Sequence, residues 1–292
     1  MPATQGELAA RFEENRSHLR AVAYRMLGSL SDAEDAVQEG WLKLSRTDVS
    51  GVDNLGGWLT TVVGRVCLDM LRSRTSRRED SLETRLPDPV VTDAPSDPAH
   101  EAEQVDSIGM AMLVVLDTLP PAERVAFVLH DMFAVPFDDI APIVDKTPAA
   151  TRQLASRARR KVRGEVPRGE PNLPRQRKVV DAFLAAARGG DFEALLEILD
   201  PGIVLRVDTG VGVLEYVRGA AAVAGRAVMY GKFVTSGRVV VVNGAVGLLS
   251  ETDGKPTALM AYTFADGKVA ELHIIADPKR LAALGIQVPD GS

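Results

Sequence analysis

Apolar residues recur at three- and four-residue spacing near the start of the chain. Leu8, Phe12, Leu19, Val22, Ala23, Met26 and Leu27 predict one amphipathic helix, which Gly28 stops. A second helix opens at Ser31, read as its N-cap. Asp32, Glu34 and Asp35 then fall in a first turn where the helix dipole favours negative charge, and Ala33, Val37, Trp41 and Leu44 form the apolar side. A polar loop from Ser45 to Gly57 precedes a third helix carrying Trp58, Leu59, Val62, Val63, Val66, Leu68, Met70 and Leu71 into Arg72, Arg74, Arg77 and Arg78. That helix is apolar first and basic last.

The stretch from Leu86 to Pro98 breaks the pattern with Pro87, Pro89, Pro95 and Pro98, and reads as a linker. A second helical block follows: one helix around Val105 to Leu119, one opened by Pro120 and Pro121, and two shorter ones. Gly164 to Pro174 is a second linker, after which the texture changes. Two helices, Arg175 to Ala187 and Phe192 to Leu199, lead into β-branched runs at Ile203–Val207, Val239–Val242, Val246–Ser250, Leu259–Phe264 and Val269–Ile275. Turn signals at Asn243-Gly244, Asp253-Gly254 and Asp266-Gly267 separate the later runs, which makes this third block α+β.

Composition changes this picture in two places. The 292 residues suit two or three domains, and the net charge of −6 speaks against a polyanionic partner only if charge is evenly spread. It is not. Residues 86–120 hold seven acidic side chains and no Lys or Arg, whereas residues 147–178 hold ten Lys or Arg against two acidic residues. The single cysteine, Cys67, excludes an intrachain disulfide, and with four scattered histidines it makes no metal cluster. Its apolar neighbours favour a buried inert thiol over a redox-sensing one. No signal peptide and no apolar run of membrane-spanning length is present, so a cytoplasmic location without membrane attachment is expected. No cofactor is implied.

The basic stripe from Thr147 to Lys161 carries small and apolar residues on one helical face and Arg or polar residues on the others. It follows a short amphipathic segment, Phe137 to Val144, and an Asp145-Lys146-Thr147 turn. This is helix-turn-helix spacing, in which the second helix enters the major groove N-terminus first. Thr151, Arg152, Gln153 and Ser156 are the candidate base readers, because guanidinium and carboxamide groups match guanine and adenine edges. Arg157, Arg159, Arg160 and Lys161 are suited to phosphates. A solvated basic helix in an ordinary bundle is the plainer reading, and Pro142 within the first helix is a counter-signal.

At this point a family resemblance becomes specific. Tyr24-Arg25-Met26-Leu27-Gly28-Ser29 followed by Asp32 to Leu42 closely resembles region 2 of extracytoplasmic-function sigma factors. The resemblance implies that Asp32, Asp35, Gln38 and Glu39 bind core RNA polymerase. Trp58 to Arg72 looks like the family's helix for the minus-ten promoter element, which implies DNA contact for Trp58, Thr61, Arg65 and Arg72. For Trp58, core packing is the competing reading. Pro120 to Leu129 resembles the start of region 4, so that the helix-turn-helix would read the minus-thirty-five element. The implied partners are RNA polymerase core and promoter DNA.

Such factors normally end after region 4. The third block resembles a SnoaL-like, nuclear-transport-factor-like cone, carried by a subgroup that includes the sigma-J type. That subgroup has a Leu-Pro-acidic-Pro linker motif, a Gly-rich Asp-Gly-Gly-Gly-Lys-like motif and an Asn-Pro-Asp-Lys-Leu-like motif. Here these correspond to Leu86-Pro87-Asp88-Pro89, to Asp208, Gly210 and Gly212 with Thr209 in place of a Gly and Val213 where the Lys would fall, and to Asp277-Pro278-Lys279-Arg280-Leu281. A bent sheet wrapped by helices makes a pocket, with candidate lining from Tyr216, Tyr230, Met260, Tyr262 and His273 suited to an unidentified small-molecule ligand.

The expected organisation is region 2 at 1–80, an acidic linker at 81–102, region 4 at 103–165, a linker at 166–174 and a SnoaL-like domain at 175–292. The expected fold is thus two all-α domains plus an α+β cone. The function expected is that of an alternative sigma factor regulated in cis by its last domain. Two other readings stay open: a DNA-binding module fused to an enzyme acting through Asp208, His273 or Tyr262, and a helix-turn-helix repressor that binds DNA without polymerase.

Overall fold

Gly28 adopts a left-handed backbone (φ 66°) and its N–H closes on the Tyr24 carbonyl at 2.8 Å, which ends helix α1, Gln5–Leu27. In the computed structural model, which describes residues 5–78, 85–93, 108–167, 172–211, 214–232 and 237–284, α2 spans Leu30–Leu44 and α3 Leu55–Arg78. The N-cap of α2 is Ser29 rather than Ser31: its hydroxyl accepts from the Asp32 N–H at 3.3 Å, because Leu30 is already helical. Phe12, Leu19, Met26, Leu44, Leu59 and Leu68 are wholly buried among the three helices, each contributing about 1.5–3 kcal/mol. Gly40 lets α2 approach α3 closely, since a Cβ there would lie 2.9 Å from Val63 Cγ2.

The chain divides into two compact units, and the first joins residues 1–81 with 113–165. After α4 (Met110–Asp117) come α5 (Pro121–Phe127), a π-helical turn at Val128–Met132, α6 (Phe137–Ile140) and α7 (Pro148–Glu165). Pro121 occupies the first turn of α5, where its missing N–H costs nothing. Pro142 shortens α6 to four residues, and Asp145 turns the chain with φ 54° before Thr147, whose hydroxyl accepts from the Ala150 N–H and opens α7. The α4 bounds differ from the Val105 start expected from the pattern; residues 101–107 lie outside the described residues.

The second unit joins residues 82–112 with 166–292. Helices α8 (Leu173–Gly189), α9 (Phe192–Ile198) and α10 (Ala220–Gly231) accompany a seven-stranded sheet. Its strands are β1 (Val91–Asp93), β2 (Leu199–Asp208), β3 (Glu215–Arg218), β4 (Gly237–Val242), β5 (Ala245–Thr252), β6 (Lys255–Ala265) and β7 (Lys268–Ile275), followed by α11 (Pro278–Ala283). The order is β1-β4-β5-β6-β7-β2-β3, antiparallel except for the β2–β7 pair. All three expected hairpins form, with positive φ at both residues of Asn243-Gly244, Asp253-Gly254 and Asp266-Gly267. The α+β expectation for this block is met.

One strand was unexpected. Residues 91–93, in the proline-rich stretch read as a linker, pair with β4 through Val91↔Val242, Thr92↔Val241 and Asp93↔Val240. Prolines suppress strand signals, yet an edge strand needs only one set of ladder bonds, and the sheet supplies them.

Candidate nucleic-acid interface and ligand cavity

In the first unit, α2 presents Asp35, Gln38 and Glu39 to solvent, opposite its buried Ala33, Ala36 and Val37. Asp32 departs from that stripe. It is half-buried and ion-paired with Arg74 of α3, whose guanidinium also donates to the Leu27 carbonyl at 2.8 Å. The structure gives Asp32 a partner inside the bundle, so of the four expected polymerase contacts it is the least available.

On α3, Arg65 and Arg72 are exposed, and Trp58 and Thr61 are half-buried, with the Thr61 hydroxyl donating to the Gly57 carbonyl. Both arginines face the helix-turn-helix: Arg65 lies 3.8 Å and Arg72 3.7 Å from the Asp145 carboxylate. Beneath them Gly64 packs against Leu129 and Ile143. Cys67, on the same helix, is buried, and burial pushes its thiol pKa far up.

The helix-turn-helix is braced from within. Arg124 is 3% exposed; it donates to the Met26 carbonyl at 2.9 Å and to Asp117 at 3.0 Å, joining α5 to the end of α1 and to α4. Arg157 pairs with Glu123 at 2.6 Å, Arg159 pairs with Asp131, and the Lys161 ammonium donates to the Thr118 carbonyl at 3.1 Å. These three therefore hold α7 to its neighbours, which sequence spacing did not signal.

Thr151 requires correction as a base reader. It is 0% exposed and its hydroxyl donates to the Thr147 carbonyl, because its position on α7 falls on the face shared with Leu154, Ala155 and Ala158. Arg152, Gln153, Ser156 and Arg160 are exposed on the other face, and Arg152 stacks on the Phe137 ring with its guanidinium carbon 5.3 Å from the centroid.

In the second unit the three short motifs converge. Asp208 Oδ2 accepts from the Arg280 guanidinium at 2.5 Å and from the Leu86 N–H at 3.2 Å. Arg280 also donates to the Pro87 carbonyl at 3.1 Å and to Asp88 at 2.8 Å. Leu86, Pro87 and Pro89 are buried. Asp277 caps α11 through the Lys279 N–H, Pro278 opens that helix and Leu281 is buried beneath it. Gly210, at φ 74°, brings the second motif against the third: a Cβ there would lie 2.5 Å from Asp277 Oδ2. Gly212 lies outside the described residues. Further along, Asn243 accepts from the Val90 N–H at 3.0 Å and donates to the Ile108 carbonyl at 2.9 Å. Both ends of the segment joining α3 to α4 are therefore held by the second unit.

A cavity of about 390 Å3 opens on the helix-covered face of the sheet, lined by residues that include Phe183, Leu205, Val207, Tyr230, Met260, Leu272 and Ile274. Tyr230 and Met260 thus line it, as expected. Tyr216, Tyr262 and His273 do not. Strand alternation places Arg206, His273 and Tyr216 in one cross-strand row on the opposite face, while Tyr262 is buried beside Phe183.

His273 is 1% exposed, with Nε2 3.0 Å from Arg206 and 3.2 Å from Glu271. Burial lowers its pKa, against the opposing effect of Glu271. The enzymatic alternative rests on Asp208, His273 or Tyr262, and none of them lines the cavity.

The first unit is, by this geometry, a helical bundle joined to a helix-turn-helix. Comparison with known proteins defines it further: the profile for Sigma-70 region 2 matches residues 11–77, and that for Sigma-70, region 4 matches residues 109–162. The chain is 40% identical to the ECF RNA polymerase sigma factor SigJ of Mycobacterium tuberculosis (strain H37Rv), covering 92% of this chain and 91% of SigJ. It is 32% identical to the probable ECF RNA polymerase sigma factor SigI of the same species, over 97% of this chain and 98% of SigI. The crystal structure of the M. tuberculosis SigJ superposes with a TM-score of 0.73 at 36% identity, covering 96% of this chain and all of that one. This chain belongs to the extracytoplasmic-function sigma factor family. Sigma factor families bind RNA polymerase core and promoter DNA. Among the described residues no helix is long and apolar enough to cross a membrane.

Proposed function

We propose that this sigma factor works in the cytoplasm, docks on core polymerase through Asp35, Gln38 and Glu39 of α2, and meets the minus-ten element with α3. The minus-thirty-five element is then met by Arg152, Gln153, Ser156 and Arg160 of α7. The α3 and α7 assignments rest on exposed polar and cationic side chains on helices that match regions 2 and 4. The second unit regulates in cis. It is a non-enzymatic domain whose cavity receives the small molecule.

The observation that carries the cis reading is the grip of Arg280 and Asp208 on Leu86, Pro87 and Asp88. A chain segment reaches at most about 3.3–3.6 Å per residue, so fixing part of the connection shortens the reach between region 2 and region 4. The test is run-off transcription with purified core polymerase on promoters whose minus-ten to minus-thirty-five spacing is varied. The full chain, the Arg280→Ala chain and a chain ending at Glu165 are compared. Release of the linker broadens the range of spacings used; identical spacing profiles for all three would remove the cis reading.

A further inference from the structure

The 390 Å3 cavity combines two features that together specify an occupant. The first is its wall, which is apolar from both layers: Phe183, Leu184 and Val223 come from the helices, and Met260, Leu272 and Ile274 from the sheet. The second is Ser250 on β5. Ser250 lines the cavity and is 5% exposed, and its hydroxyl has no partner among the described residues.

A buried hydroxyl is ordinarily hydrogen-bonded, and Ser250 Oγ can both donate and accept. The backbone around it is already committed: the Ser250 carbonyl accepts from Thr257 Oγ1, and the strand pairs with β4 and β6 at Gly237 and Ala258. The side-chain hydroxyl is the polar group left over.

The charged residues of the lining do not call for a charged ligand. Three charged residues line it: Arg226 of α10 is ion-paired with Glu215 of β3, and Arg188 at the end of α8 is engaged in an interaction of its own. A carboxylate or sulfonate entering the cavity would be desolvated against an apolar wall, and the two arginines of the lining are already engaged within the protein.

We propose that this cavity binds a neutral, compact, mainly apolar molecule bearing one hydroxyl or carbonyl, which Ser250 Oγ engages while the hydrocarbon body fills the space between α8, α10 and the sheet. On the scale by which a cavity of about 150 Å3 takes benzene, the volume suits on the order of ten to fifteen heavy atoms. The proposal rests on the reading of this cavity as the ligand site given above. Its test involves no polymerase, so it stands or falls apart from the transcription result.

The experiment titrates full-length protein with 2-naphthol, followed by the probe's own fluorescence, beside naphthalene and naphthalene-2-sulfonate. Saturable binding of 2-naphthol at one site per chain is expected, about tenfold tighter than naphthalene, the ratio one buried hydrogen bond supplies. Ser250→Ala removes only a hydroxyl without a protein partner and leaves the fold intact; it should bring 2-naphthol down to the naphthalene affinity and leave naphthalene unchanged. Ala227→Trp fills the cavity from α10 and should abolish binding of both. If circular dichroism shows that variant unfolded, Ala258→Leu fills the same space from β6. No saturable binding, binding that survives the filled cavity, an unchanged preference in Ser250→Ala, or tightest binding of the sulfonate would each overturn the proposal.

Discussion

Asp145, in the turn before α7, lies 3.8 Å from the Arg65 guanidinium of α3 although 80 residues separate them in sequence, and Arg72 shares the same carboxylate at 3.7 Å. The turn of the helix-turn-helix thus occupies two cations of the helix assigned to the minus-ten element. All three side chains are about half exposed or more, so these pairs contribute little to stability. Their consequence is for ligand access. Asp145→Asn keeps a residue that tolerates φ 54° and removes the charge. The variant should bind a minus-ten single strand several-fold more tightly than the parent, in fluorescence anisotropy without polymerase, with an unchanged melting temperature. Equal affinities would mean the pairs do not compete with DNA.

Arg280 is 10% exposed on its side chain and makes three bonds, two of them to carboxylates. Removing it leaves Asp208 buried and without its cation, a change that costs about 3–5 kcal/mol for a buried pair. The loss is local to the linker. Arg280→Ala should speed hydrogen exchange at the Leu86 and Val90 amides, which now donate to Asp208 and Asn243, while leaving the amides of α1 to α3 unaffected. Uniform protection in both proteins would show that the linker is held by other contacts.

His273 makes the second unit sensitive to acid. Its folded pKa is depressed below the ordinary 6.5, mainly by burial, so the unfolded chain binds the additional proton. Stability is therefore full above that value and falls as the pH drops below about 6.5, by up to about 1.4 kcal/mol per pH unit until the folded group itself titrates. His18 on α1 is shifted in the same direction by burial and by Arg25. Urea unfolding of His273→Phe between pH 7.5 and 5.5 should show a shallower fall than the parent; parallel curves would show that His273 does not carry the effect.

Cys67 is buried on α3 with its thiol pKa pushed up, which resolves the choice between an inert and a redox-sensing thiol in favour of the first. Labelling by a disulfide reagent at pH 8 should proceed at the rate of unfolding and accelerate with urea. Rapid stoichiometric labelling of the native chain would contradict the buried position.

Arg124 should be a costly single change in the first unit, because alanine there removes the bonds of a buried guanidinium to the Met26 carbonyl and the Asp117 carboxylate. A loss of about 3 kcal/mol is expected from chemical denaturation. Arg157→Ala, whose bond to Glu123 is more exposed, should cost less than about 1 kcal/mol.

The elements were legible because their signals are local. Three- and four-residue apolar spacing marks α1 to α3, Asx-Gly pairs mark the hairpins, and a basic stripe after a short turn marks α7. Helical phase around α7 was less legible: Thr151 looks like a reader until packing shows which face turns inward, and Arg157, Arg159 and Lys161 look like phosphate contacts until their carboxylate and carbonyl partners are placed. Two of the expected pocket residues, Tyr216 and His273, failed for a related reason. A strand's two faces alternate, and sequence shows the alternation at His273 and Tyr216 without showing which parity faces the helices.

The sequence by itself determined the order of the helical blocks, the α+β texture of the last one, and the motifs at Leu86, Asp208 and Asp277. Tertiary structure alone decided that these three motifs form one clamp through Arg280, that proline-rich residues 91–93 become a sheet edge, and that Asp145 faces Arg65 and Arg72. Propensity and periodicity act over a few residues. Which distant carboxylate meets which guanidinium depends on how the packed faces close upon one another.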